Sequence, residues 1–435
     1  MNSDLKTYCQ GLQAEMSACR RDIHSHPEQG FCEYRTAALV AKQLTALGYT
    51  VYTGEDAMAA SARMGVPDAA ILQAAEERAI REGGEKDMAG RMAGGMTAVV
   101  GVLDCGPGPC VALRFDMDAL PILESRAETH VPSRLNFFSI HDGTMHACGH
   151  DAHVTIGLYV ARMLSERRES LHGRVIFLFQ PAEEGVRGAR AMVEKGWLDH
   201  VDYLIGGHVE PSADGRLAVS PGTGDTFATT KLDAVFHGAP AHAGAMPEGG
   251  ANCILAIATA ITNLYAIPRH SGGASRVNVG RVEAGEGRNV IASGGKLLIE
   301  VRGATTAVNE YMEQRAIRVL EAAAEMYGCT VTVTKAGSAP CMENSPELTA
   351  LLNGVADANG FLRQEPYSMG ASEDFACMAQ RVIACGGQSC FTGLHTPMPA
   401  AAHTAEFDLD ERILPEAVAF YTTAVETLLS GNLKG

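Results

Sequence analysis

Val175-Ile176-Phe177-Leu178-Phe179-Gln180-Pro181-Ala182-Glu183-Glu184-Gly185 carries an unbroken apolar run into two adjacent glutamates. Such a run reads as a strand buried on both faces, as in the sheet of an α/β fold. Carboxylates directly after a buried strand are costly unless they are used, and ligands bind at the carboxyl edge of such sheets. Two further strand ends repeat the arrangement: residues 111–115 lead into Asp116 and Asp118, and residues 204–207 end at His208. One site at one sheet edge is the expectation.

The densest group of metal-binding side chains lies at residues 143–153, where His146, Cys148, His150, Asp151 and His153 precede a helix expected over 154–165. With the strand ends and a later histidine, the candidate ligands are Cys148, His150, Glu184, His208 and His403. A structural zinc site would draw on local Cys-x-x-Cys pairs, and the chain has none. Ligands this dispersed describe an assembled catalytic site, and their number suits two ions sharing a bridging water. Glu183, beside a ligand, is then placed to carry a proton from that water to a leaving nitrogen.

Outward from the site, helices are expected over 8–26 and 36–47, with Arg20 to Glu28 read as a solvated helix end. Residues 57–95 read as a helical insert with a helix at 69–81, covering either the site entrance or a plain surface. Residues 97–103 and 111–115, joined by Gly106-Pro107-Gly108-Pro109, read as a strand pair. Beyond residue 225 the pattern turns to half-wet strands and helices in the order 231–237, 252–266, 276–282, 295–303, 308–327 and 330–334. That β-α-β-β-α-β order is ferredoxin-like. The expected division is a catalytic domain in two parts, 1–224 and 337–435, around an inserted domain at 225–336. The second catalytic part should hold a helix at 345–359, a strand at 390–394 and a terminal helix at 415–429.

At 435 residues, with 46% hydrophobic and 20% charged side chains, the composition is that of a globular protein. A formal charge of −16 argues against nucleic acid and anionic membranes as partners. No apolar run is long enough to span a bilayer, the first residues lack a secretory signal core, and twelve scattered cysteines suit a reducing compartment, so a cytoplasmic protein is expected.

Phe-Asp-Met-Asp-Ala-Leu-Pro (115–121), Met-His-Ala-Cys-Gly-His-Asp-Ala-His (145–153), Phe-Gln-Pro-Ala-Glu-Glu-Gly (179–185), Gly-His (207–208), Ala-His-Ala-Gly (241–244), Arg-Val-Asn-Val-Gly (276–280), Ser-Glu-Asp-Phe (372–375) and His403 occur in the order found in a known family. Over nearly its whole length the chain resembles the two-metal aminoacylase/carboxypeptidase-type amidohydrolases. The similarity is to their branch of hippurate, indole-acetyl-amino-acid and p-aminobenzoyl-glutamate hydrolases. The resemblance implies a mixed-sheet, aminopeptidase-like catalytic domain with a ferredoxin-like α+β lid and dimerisation domain. It implies the same five ligands and Glu183 as general acid/base. It also implies that His242 stabilises the oxyanion in the partner subunit's site, that Arg302 with Asn278 grips the substrate carboxylate, and that Asp118 orients a ligand histidine.

Two features bear on that resemblance. Relatives often carry paired histidines at the last ligand, and here Ala402 precedes His403. The insert resembles the one in enzymes that cleave aryl or arylacetyl amides of glutamate or aspartate. The expected activity is therefore a metal-dependent amidohydrolase acting on p-aminobenzoyl-glutamate, with indole-acetyl-aspartate or another N-acyl amino acid as the alternative. A non-catalytic ligand-binding subunit is the reading from a different class. Zinc suits the cysteine and histidines, manganese the carboxylate and water, and the resemblance leans to manganese. A homodimer through the inserted domain is expected, and a further partner would be a second, homologous subunit.

Overall fold

A computed structural model describes residues 2–222, 226–366 and 370–430. The domain boundary expected at 224/225 lies outside them. The strands are β1 (Thr50–Thr53), β2 (Val99–Asp104), β3 (Cys110–Asp116), β4 (Arg174–Gln180), β5 (Tyr203–Pro211), β6 (Ala218–Pro221), β7 (Ala228–His237), β8 (Ser275–Ala284), β9 (Gly294–Gly303), β10 (Thr330–Ala339) and β11 (Gln388–Thr396). They form a mixed α/β architecture of two sheets.

The larger sheet has the order β1-β2-β4-β3-β5-β11-β6. Its centre, β4-β3-β5-β11, is parallel, which brings the carboxyl ends of these strands to one edge. β3 is buried throughout and β4 at every residue after Arg174, which is why their sequences show apolar runs rather than alternation. The helix His150–Glu166 crosses from β3 to β4. At Gly157 it lies so near the sheet that a Cβ would come within 2.7 Å of the Phe115 ring.

Two expectations are corrected here. The strands on either side of Gly106–Pro109 are not a pair: β4 lies between them, antiparallel to β2 and parallel to β3. The connection turns but does not form a ladder; instead Pro109 O accepts from Arg174 N and Gly173 O from Cys105 N. A fully buried β3 needs a neighbour on each side, and β4 and β5 supply both. In addition, β5 continues to Pro211, so His208 lies within the strand, opposite Gly393 of β11.

The smaller sheet, β10-β7-β9-β8, is antiparallel throughout. With the helices Cys253–Tyr265 and Thr306–Met326 it encloses its own apolar core around Phe236, Leu297 and Leu320. Asn252 and Thr305 cap those helices by accepting from backbone N–H groups of their first turns. β10 runs past residues 336–337 to Ala339 with a register shift after Lys335, and Ser338 N donates to Val186 O. In the insert, the helix Ala69–Arg81 has the expected bounds and a second helix follows at Lys86–Arg91. Among the described residues no helix is long and apolar enough to cross a membrane.

Candidate metal centre

The loop after β4 carries Glu183 and Glu184 in an unfavourable backbone conformation. Ala182 (φ 52°) and Val186 (φ 58°) both sit in the left-handed region, which costs a non-glycine residue on the order of 1 kcal/mol or more. Carboxylates from three other segments hold the loop there. Glu33 accepts from Ala182 N at 2.8 Å, and Asp118 accepts from Glu183 N and Glu184 N at 3.0 Å each. Asp374 accepts from Gly188 N at 3.2 Å and Ala189 N at 2.9 Å. From the opposite side, Arg187 Nε donates to Glu184 O at 2.9 Å and Nη1 to Gly65 O at 2.9 Å, fastening the helical insert to this loop.

All five expected ligands come together, in two groups that share one sulfur. Cys148, His150 and His208 form one group and Cys148, Glu184 and His403 the other, with donor atoms of each group within 4.8 Å of one another. His150 donates from Nδ1 to Asp118 O at 2.8 Å and His208 from Nδ1 to Val209 O at 2.7 Å, so each turns Nε2 toward the centre. His208 Nε2 lies 3.3 Å from Cys148 Sγ. Gly149 (φ 94°) makes the turn between Cys148 and His150, and a Cβ there would come within 2.3 Å of Val209. His403 is itself left-handed (φ 63°), is pinned by its N–H to Ala147 O at 2.7 Å, and reaches Glu184 Oε1 at 3.3 Å.

These residues fit a metal centre on their own chemistry. His150 Nε2 is buried without a hydrogen-bond partner, buried Glu184 Oε1 has only the His403 ion-pair contact, and the donor set of thiol, imidazole and carboxylate suits borderline divalent ions. The local field favours positive charge: burial alone would lower the His150 pKa, but Asp116 and Asp118 push it up to about 10. Burial, with Glu184 and Glu183, pushes the Cys148 thiol well above its ordinary value, and a bound divalent ion would displace that proton. Glu183 is in neither group sharing Cys148 but forms a third group with His150 and Glu184, its carboxylate 4.0 Å from His150 Nε2. Burial, followed by Glu373, Glu184 and Asp374, raises its carboxyl pKa well above the usual range, against the pull of Arg114.

The other two histidines of the 143–153 cluster stand outside both groups that share Cys148. His153 donates from Nδ1 to Asp116 at 2.6 Å and accepts Val209 N on Nε2 at 2.9 Å, leaving no lone pair for an ion. His146 is buried with neither ring nitrogen hydrogen-bonded, and burial pushes its pKa down to about 3. Asp118 does more than orient His150, because its side chain also holds both glutamate amides. His242, Asn278 and Arg302 make their polar contacts within the smaller sheet and its loops. Exposed His242 accepts from Gly244 N and Ala245 N, Asn278 accepts from Tyr265, and Arg302 pairs with Glu300 at 3.0 Å.

The Arg20 to Glu28 segment is not a solvated helix end. Arg20, His24 and Glu28 are all buried. Arg20 and His24 lie on the stripe that buries Met16 and Ile23, and that shared face was the available signal. His24 bonds Asp151 at 2.8 Å and Glu124 at 3.1 Å. Burial would lower its pKa, but these two carboxylates raise it to about 9. The unfolded value is about 6.5, so His24 contributes fully to stability below that pH and the contribution is lost as pH rises through about 9. Stability is therefore expected to fall by on the order of 3 kcal/mol across that window, and His24→Gln should flatten the fall. Urea unfolding at stepped pH checks this; an unchanged slope in the variant refutes it.

A family model described as peptidase family M20/M25/M40 matches residues 112–427. The chain belongs to that family. As an M20/M25/M40 member it is a hydrolase of amide bonds. It is 42% identical to indole-3-acetyl-aspartic acid hydrolase of Enterobacter agglomerans, over 98% of each chain. It is also 42% identical to one of the subunits of p-aminobenzoyl-glutamate hydrolase of Escherichia coli K12, over 95% of this chain and 96% of that one. The crystal structure of an aminobenzoyl-glutamate utilization protein from Klebsiella pneumoniae superposes with a TM-score of 0.83 at 36% identity, covering 97% of this chain and 98% of the other.

Proposed function

We propose that this M20/M25/M40 member hydrolyses the amide between an aromatic acyl group and an acidic amino acid, with p-aminobenzoyl-glutamate as substrate. The observation that carries the proposal is the complete donor set around Cys148 with Glu183 beside it, in a chain 42% identical to a hydrolase named for that compound. Indole-3-acetyl-aspartate is the second reading, supported by equal identity to the hydrolase of that conjugate.

Cys148, His150 and His208 would hold one divalent ion, and Glu184 and His403, sharing Cys148, the other; manganese or zinc suits these donors. Ions bound there supply Lewis-acid polarisation of the amide carbonyl and a more acidic water. The Glu183 carboxylate takes the proton of the attacking water and returns it to the amide nitrogen as the C–N bond breaks. Arg302, with Asn278, binds the substrate carboxylate, and His242 donates to the developing oxyanion from a second copy of the chain. Support for a homodimer is the free edge of β8 and the exposure of Ile254, Leu255, Tyr265 and Val282 in the same unit. That unit, roughly 225–336, is the proposed lid and dimerisation domain. Free thiols at all twelve cysteines support a cytoplasmic setting.

Purified protein supplied with Mn²⁺ or Zn²⁺ is expected to release p-aminobenzoate from p-aminobenzoyl-glutamate, to lose that activity to a chelator, and to show a KM raised about tenfold or more in Arg302→Ala. No turnover of either conjugate with either metal rejects the substrate class. Mixing inactive Glu183→Gln with inactive His242→Ala is expected to restore activity, because mixed dimers would contain one intact site. Absence of complementation rejects the contribution of His242 across the dimer.

A further inference from the structure

Burying an arginine with its carboxylates seldom adds stability over apolar packing, so a fully buried ionic junction needs another reason. Arg20 is at such a junction, with no exposure, and lies outside the matched family region. Its Nε meets Asp151 Oδ2 at 3.0 Å, its Nη2 meets Asp408 Oδ1 at 2.7 Å and its Nη1 meets Glu411 Oε1 at 3.3 Å. Asp151 directly follows His150 and also accepts from Ala152 N at 2.9 Å, fixing the first turn of that helix. Asp408 lies on the connection between β11 and the helix Ile413–Leu429, the same connection that carries His403. One planar guanidinium thus ties together the two segments that bring Cys148 with His150 and His403 to the centre.

We propose that Arg20 is a positioning residue that sets the spacing between the two halves of the metal centre, Cys148/His150/His208 and Glu184/His403. Apolar contacts between the segments would tolerate slippage, whereas a rigid donor fork shared by carboxylates on both segments does not. Metal donors have to be held to about 0.5 Å to bind two ions side by side. The inference rests on the two-ion reading above.

The test titrates metal-free protein with Mn²⁺ alone, reading stoichiometry by calorimetry and the coupling between ions by electron paramagnetic resonance. The main variant is Arg20→Gln with Asp408→Asn. In it Asp151 keeps His24, and Glu411 keeps its two-point contact with Arg21 at 3.0 and 2.7 Å, so no buried carboxylate is left alone. Arg20→Lys is the second variant, reaching only one of the tied segments, and it decides the question if the double variant does not fold.

Wild type is expected to bind two equivalents with the spectrum of a coupled pair. The variants, folded and melting within about 5 °C of wild type, are expected to bind the second ion about tenfold or more weakly and to show isolated Mn²⁺. A folded variant that binds two ions with wild-type affinity and coupling overturns the role of Arg20 and leaves the two-ion reading standing. Wild type binding a single ion overturns both.

Discussion

Glu183→Gln is expected to lower kcat about 10³-fold, roughly 4 kcal/mol of barrier, while KM and metal content stay near wild type. The amide is close in size to the carboxylate, and the backbone bonds to Asp118 that hold residues 183 and 184 do not involve the side chain. Glu183 lies outside both donor groups that share Cys148, although it forms a third with His150 and Glu184, which is why metal content has to be read beside kcat. What would disappear is the proposed proton carrier. Burial, with Glu373, Glu184 and Asp374, shifts this carboxyl group toward holding a proton, and an amide can neither take up nor return one. Steady-state kinetics with metal analysis of the same sample decides the matter: more than a few per cent of wild-type kcat with full metal content means that another group moves the proton.

Part of this candidate site was legible because several of its candidate residues stand at a break in a strong local pattern. Glu183 and Glu184 follow an apolar run, His150 opens a helix, and His208 interrupts a buried strand. The smaller sheet was equally readable, since strands with one wet face alternate and its two helices do not. Strand order was less so: Gly106–Pro109 has the composition of a hairpin turn, and nothing local says that a strand some 60 residues later lies between its neighbours. The supports of the site were least legible. Arg20 meets partners 131 and 388 residues away, and Asp374 holds a loop 186 residues before it, separations at which no local periodicity operates. The roles implied for His242 and Arg302 involve a second chain or a substrate, and within one chain their bonds are satisfied locally.

Arg114 could have been noticed as a charge inside the apolar run of β3, and its removal should have the largest effect on stability. It is fully buried, with Nε on Gln180 Oε1 at 2.8 Å, Nη1 on Asp116 at 2.5 Å, and Nη2 on Glu373 at 2.8 Å and Asp374 at 3.3 Å. Arg114→Leu leaves three buried carboxylates without their cation and is expected to cost on the order of 3–5 kcal/mol, a large share of the 5–15 kcal/mol that holds a typical domain folded. The pH dependence identifies the cause. In the native protein burial would raise the Asp116 pKa, but Arg114, with His150 and His153, holds it well below the usual carboxylate range. Burial already raises Asp374 to about 7 despite Arg114. Without the guanidinium these pKa values move upward, above those of the unfolded chain, so the native state binds more protons and stability drops as pH rises. Arg114→Leu should therefore regain stability, relative to wild type, as pH falls from about 8 to 5, and adding Glu373→Gln should recover part of the loss at neutral pH. Urea unfolding of the three proteins at both pH values measures this. A pH-independent deficit that Glu373→Gln does not reduce would mean that the loss comes from packing around the side chain and not from the orphaned charges.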